Sequence, residues 1–433
     1  MIERISYPRL GEEVTRRILP SGLPVYVVKK PGFSRKYALF AVHYGGMDIS
    51  YDHEGRSCTM PAGIAHYLEH KMFDTADGNA MQILAQNGAE PNAFTSNSIT
   101  AYYFDSTEHF IENLRELLRF VTVPYFTDAS VEKEQGIIAR EIRMIEDSPD
   151  WIVYKNMMRL LYPDSSVSIP VAGSEESIRA ITAETLYACH GAFYRPDNMC
   201  LVVVGDVEES EVFAAAEEIV APQAKSELRR RYEIGAPAQK FQKVSCTGEV
   251  SRPQFLLGVR VSGEACGTKS SLRESLIGSI AAELLMGQTS PLYHRLYDAG
   301  LIDESFECGY EEIRPGTAYI YAGGESGDPE AVRRAVEEEA YRMGTQPVDG
   351  AYFRRIHRAM FGIMLKDLNS FEDIALDLVD GCFYDYDALQ IPEAFDTVTL
   401  QDVQAFIHDH IYQAPSVLSV MEPKEEAIYE DHD

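Results

Sequence analysis

The two halves of this 433-residue chain carry the same kinds of segment in the same order, and this repeat constrains the fold more than any single motif. In the first half, strand-like stretches at 14–19, 23–29 and 37–44 precede a helix that opens after Pro61 and Gly63. A shorter helix is expected at 78–87 and a long one at 131–146. The half closes with helix 182–193, the loop Tyr194-Arg195-Pro196-Asp197-Asn198 and the Val-rich strand 199–204, followed by a helix at 208–221. The second half answers with strand 254–261 before helix 271–286, strand 317–322 before helix 328–342, and the long helix 352–368. It closes with helix 399–411 and strand 417–421. A chain of this length exceeds one ordinary domain. The repeat predicts an α+β protein of two homologous domains, 1–222 and 241–433, joined by a polar linker at 223–240. The linker's Arg229, Arg230 and Arg231 are expected to form a solvated face.

Within the first half, Ile64-Ala65-His66-Tyr67-Leu68-Glu69-His70-Lys71-Met72 reads as an amphipathic helix. At about 100° per residue, Ile64, Leu68 and Met72 share one stripe, while His66 and His70 stand one turn apart on the other side. Two histidines at i and i+4 are spaced to hold one metal ion, and the neighbouring Glu69 can take a proton from water. The order His-x-x-Glu-His is a catalytic signature of zinc peptidases. The competing reading is a helix with two surface histidines and an unrelated glutamate. In helix 131–146, Glu134, Ile138, Glu141 and Ile145 share one stripe, flanked by Ile137 and Ile142. Carboxylates on an apolar face are rare unless paired or bound to metal. Glu134 and Glu141 stand roughly 10 Å apart along the axis, so at most one joins the histidines on a single ion. Spacing alone does not say which.

The segment 92–96 reads as an edge strand, because Pro91 cannot sit in a central one. It either closes a sheet or pairs with an extended peptide through main-chain bonds. The helix matching the motif helix in the second half contains Ile280-Ala281-Ala282-Glu283-Leu284-Leu285, with no histidine pair. A metal is therefore expected in the first domain only.

Hydrophobic residues make up 45% of the chain and charged residues 25%, which places it in the globular class. The net charge of −29 disfavours a nucleic-acid partner. The N-terminal MIERISYPRL does not read as a signal peptide, and no run of eighteen apolar residues occurs. The seven cysteines (Cys58, Cys189, Cys200, Cys246, Cys266, Cys308 and Cys382) are scattered and form no Cys-x-x-Cys pair. That predicts a reducing compartment, the cytoplasm.

Taken together, Gly63 to Phe73, Asn92-Ala93-Phe94-Thr95, Glu134 with Glu141, and Phe193-Tyr194-Arg195-Pro196-Asp197-Asn198-Met199 resemble the pitrilysin/insulysin family of zinc metallopeptidases, the inverzincins. The length is similar to the family's short two-domain subunits, which pair into a closed clam-shell chamber. The branch most similar to it comprises bacterial paired processing peptidases, and the chain resembles their zinc-bearing member. The resemblance implies repeated α+β domains, each a mixed, mainly antiparallel sheet covered by helices. It implies one zinc on His66, His70 and Glu141, with Glu69 as general base and Glu134 orienting a ligand histidine. It also implies that Asn92, Ala93 and Phe94 lie on the strand that receives a peptide substrate.

Members of the family that act alone carry an Arg and, seven residues on, a Tyr in the second half. Here Tyr297 stands at the Arg position and Asp303 near the Tyr position. The implied activity is zinc endopeptidase hydrolysis of peptides or small unfolded proteins, with a homologous partner subunit or a second copy of the chain. The alternative is a non-catalytic zinc-containing peptide-binding scaffold that needs a partner for activity.

Overall fold

The computed structural model describes residues 2–224, 227–236, 240–261 and 272–424. The expected features at Lys225, Pro237, Cys266 and Ser271, and the end of the second domain beyond 424, lie outside the described residues.

Two mixed sheets organise the chain. The first has seven strands, in the spatial order Ile2–Tyr7, Glu12–Ile18, Pro24–Lys29, Met199–Gly205, Lys36–Val42, Thr100–Ser106 and Ala89–Thr95. Only one of its pairings is parallel, that of Met199–Gly205 with Pro24–Lys29. The second sheet has five strands, in the order Gln242–Gly248, Ser416–Pro423, Gln254–Val261, Thr317–Glu325 and Glu307–Arg314. Its closing strand Ser416–Pro423 again lies parallel to one neighbour, Gln242–Gly248, and antiparallel to the other, Gln254–Val261. The duplication read from element order therefore extends to strand pairing.

The Val-rich strand Met199–Gly205 is buried along its whole length because both faces of its sheet are covered. Leu201 and Val203 enter a core with Ile64, Leu68, Met72, Ile138 and Ile142. Cys200, Val202 and Val204 enter a second core that continues into the other half through Ile374 and Leu378. Helices cross over to build this continuity. Pro149–Leu161 packs on the second sheet, and the adjoining Tyr162 hydroxyl donates to the Ala318 carbonyl at 2.7 Å. Phe371–Tyr384 packs on the first sheet, where Phe383 stacks on His43 with ring centroids 4.7 Å apart.

Two expectations need correction. Ile2–Tyr7 is a strand with no counterpart in the sequence reading; its residues are mostly exposed, so no apolar alternation marks it. In the Arg run, Arg229 is exposed as expected, but Arg230 is not part of a solvated face. Leu228–Arg230 pairs with Ser50–His53, and Arg230 reaches the fully buried Asp48 at 3.2 Å and Asn198 Oδ1 at 2.9 Å. Burial of a carboxylate calls for such a charge partner.

Candidate metal centre

The motif helix spans Ile64–Met72 and starts at Gly63, whose φ is 89°. A Cβ at Gly63 would lie 2.5 Å from the Ala172 carbonyl oxygen, because the 170–173 loop packs against the start of the helix. Glycine is needed here both for its left-handed backbone and for this close approach. Gly63→Ala is expected to lower unfolding free energy by about 1–3 kcal/mol in urea titrations. Gly11→Ala, at φ 70° and facing open space, shares the backbone strain without the clash, so the clash is read as the extra loss at Gly63.

Ile64, Leu68 and Met72 are buried, as the periodicity requires. The facing helix Asp128–Glu146 is held at its start by a reciprocal Thr127–Ser130 cap and buries Val131, Ile138 and Ile142. Its Glu134 and Glu141 point toward the motif helix. Glu141 Oε1 lies 3.5 Å from His66 Nε2, and Glu141 Oε2 lies 3.5 Å from His70 Nε2. One nitrogen from each histidine and one Glu141 oxygen all lie within 4.8 Å of one another. Ligands at zinc distances from a tetrahedral centre stand about 3.4 Å apart, so the spacing fits a single zinc ion. Among the described residues, no other group of three His, Cys, Asp or Glu side chains converges in this way.

Glu134 takes a different place. Its Oε1 accepts from His70 Nδ1 at 3.2 Å. A carboxylate only accepts, so Nδ1 carries a proton, and in the neutral imidazole Nε2 is left with the lone pair that a metal needs. Burial pulls the His70 pKa down, but the hydrogen bond to Glu134 and the charges of Glu69 and Glu141 raise it overall. The Glu141 carboxyl is held below its usual range, first by its hydrogen bond to His66 and then by the two histidines' charges, against its own burial. His66 Nδ1 is buried without a hydrogen-bond partner.

Glu69 is 8% exposed, and its Oε2 accepts from Thr95 Oγ1 at 2.7 Å. Sequence reading placed Thr95 in the motif strand but gave it no part in holding Glu69. The strand Ala89–Thr95 lies at the edge of its sheet, with Pro91 opposite Phe104. Side chains alternate along it. Thr95 and Ala93 face the motif helix, whereas Phe94 packs into the opposite core, 6.3 Å from the Tyr103 ring. Asn92 shares the face of Phe94 by the same alternation. Its Oδ1 accepts from the Ala93 N–H at 2.9 Å. Of the three residues expected at a substrate strand, only Ala93 shares the face of Thr95 and packs on the core of the motif helix.

Beside His66, Thr95 and Glu141 opens a cavity of about 280 Å³, walled by Ile142, Ile145, Trp151, Pro170 and Val171. Tyr297, in the second half, is exposed on helix Pro291–Asp298 and stacks on Tyr293. Asp303 binds Arg252 Nη1 at 2.8 Å.

A model of the insulinase family (peptidase family M16) matches residues 59–175, which hold both helices of the site. A second model, the peptidase M16 inactive domain, matches residues 180–360. The uncharacterised zinc protease YmfH of Bacillus subtilis (strain 168) is 34% identical, over 95% of this chain and 97% of its own length. A crystal structure described as an M16-like peptidase from Alicyclobacillus acidocaldarius superposes with a TM-score of 0.89 at 29% identity, covering 97% of this chain and all of the other. A Helicobacter pylori protease at 18% identity shares the fold, with a TM-score of 0.79 over 95% of this chain. These similarities define a two-domain peptidase-family fold. The chain belongs to the insulinase family of peptidases, family M16.

Proposed function

We propose that this chain is a zinc-dependent endopeptidase that hydrolyses extended peptides or small unfolded proteins within a chamber completed by a homologous partner or a second copy of itself. The observation that carries the reading is the convergence of His66 Nε2, His70 Nε2 and Glu141 beside a Glu69 carboxylate already held by Thr95. In this reading His66, His70 and Glu141 hold the ion and Glu134 orients His70. When bound there, zinc acidifies water toward neutrality and polarises a carbonyl oxygen. Glu69 takes the proton from the attacking water and returns it to the leaving amine. The Ala89–Thr95 edge holds the peptide main chain through strand pairing, with Asn92, Ala93 and Phe94 on the receiving strand. The apolar recess at Trp151 takes a bulky side chain next to the scissile bond. No helix among the described residues is long and apolar enough to cross a membrane. The scattered cysteines favour the cytoplasm as the site of action.

A second reading is a zinc-containing scaffold without activity of its own. It is favoured by Tyr297 and by Asp303, already bound to Arg252, where a cation and a phenol would steady a substrate carbonyl. Hydrolysis of an unstructured internally quenched peptide separates the two readings. The zinc-loaded chain with its homologous partner is expected to cleave it, chelation to stop cleavage, and the isolated chain to be slower. Zinc bound at one equivalent with no cleavage under either condition would establish the scaffold reading instead.

A further inference from the structure

Lys71 follows His70 directly, yet it turns inward. Among the described residues it is the only Lys or Arg that is buried, at 1% exposure. Its ammonium lies between the motif helix and the glutamate helix. It donates to the Asp74 carboxylate and to the Ser130 carbonyl at 3.3 Å, and it stands 3.9 Å from Glu134 Oε2. Glu134 uses its other oxygen, Oε1, to accept from His70 Nδ1 at 3.2 Å. One carboxylate therefore bridges a buried ammonium and an imidazole.

A buried ammonium is costly unless anions and acceptors surround it, so Lys71 is locked by Asp74, Ser130 and Glu134 together. Glu134 is held in turn. A glutamate has three rotatable bonds, and a single imidazole N–H does not fix its plane. An ammonium 3.9 Å from its far oxygen adds an electrostatic hold, because rotation away from His70 would also separate the ion pair. We infer that Lys71 is a positioning residue: its buried ammonium fixes Glu134, and through Glu134 it sets the orientation of the His70 ring and of its Nε2. The inference rests on the reading of His66, His70 and Glu141 as a metal centre. Partners of metal-ligating histidines outside the ligand set commonly change metal affinity 10–100-fold when removed, so the effect is expected to be measurable.

The test is zinc affinity of the full chain, measured by competition with a chromophoric chelator, for the wild type, Lys71→Met, Glu134→Gln and the double variant. Lys71→Met is expected to weaken zinc binding about tenfold. The double variant should be no weaker than Glu134→Gln alone, since Lys71 then has no carboxylate to fix. Urea unfolding of the metal-free proteins reports any stability loss separately. If Lys71→Met does not fold, Lys71→Gln, similar in length and uncharged, replaces it. Unchanged affinity in the Lys71 variant overturns the inference. So does the same fold-loss in the Glu134→Gln background, which assigns Lys71 a purely structural tie between helices. Failure of the wild type itself to bind zinc would overturn the metal-centre reading instead.

Discussion

Replacing Glu69 by Gln is expected to leave zinc in place and to stop peptide hydrolysis. The amide keeps the length of the side chain and an oxygen that accepts from Thr95 Oγ1, which holds the carboxylate at 2.7 Å. It cannot take a proton from water. General-base catalysis of this kind contributes roughly 10²–10⁴-fold, so turnover should fall by at least about a hundredfold while metal content stays at the wild-type value. Cleavage of a quenched peptide, alongside metal analysis of the same preparation, makes the comparison. Retained turnover would remove Glu69 from the general-base role. A parallel loss of metal would show that the residue instead supports the ion.

The glutamate helix carries the second large effect. Glu141→Gln removes the carboxylate that both histidine Nε2 atoms face at 3.5 Å, and should leave the purified protein without zinc after gel filtration. Glu134→Gln keeps an oxygen for His70 Nδ1 but loses the charge opposite Lys71. Its zinc affinity should fall by about 10–100-fold, less than for Glu141→Gln. The opposite order in metal analysis would exchange the roles of the two glutamates. Far-UV circular dichroism of the metal-free variants guards against mistaking unfolding for loss of a ligand.

The side chains that meet at this centre were legible because a helix converts sequence spacing directly into direction. His66 and His70 could only share a face, and a carboxylate at 134 or 141 could only interrupt an apolar stripe. Which glutamate faces the Nε2 atoms of both histidines was not legible from spacing. It depends on how far one helix slides along the other, and that is set by contacts such as the Tyr67 hydroxyl on the Val131 carbonyl. Lys71 was illegible for a different reason: a lysine in a helix reads as solvated, and only the placement of Asp74, Ser130 and Glu134 around it turns it inward. Arg230 misled in the same way, since Asp48 lies far from it in sequence. The exchange of Pro149–Leu161 and Phe371–Tyr384 between sheets was hidden because an amphipathic pattern shows that a face is buried but not against which sheet.

The edge strand beside the histidines has a consequence for solubility. A row of open main-chain amides invites any passing strand, and unguarded edges seed aggregation. This edge is guarded at two alternate positions, 91 and 93. Pro91 has no N–H to offer, and Asn92 folds its own amide oxygen onto the Ala93 N–H at 2.9 Å. Chance partners therefore meet an edge that is already satisfied at its middle. Any strand that pairs here must first displace that intramolecular bond. The guard thus lowers the tendency of this edge to pair with another copy of itself.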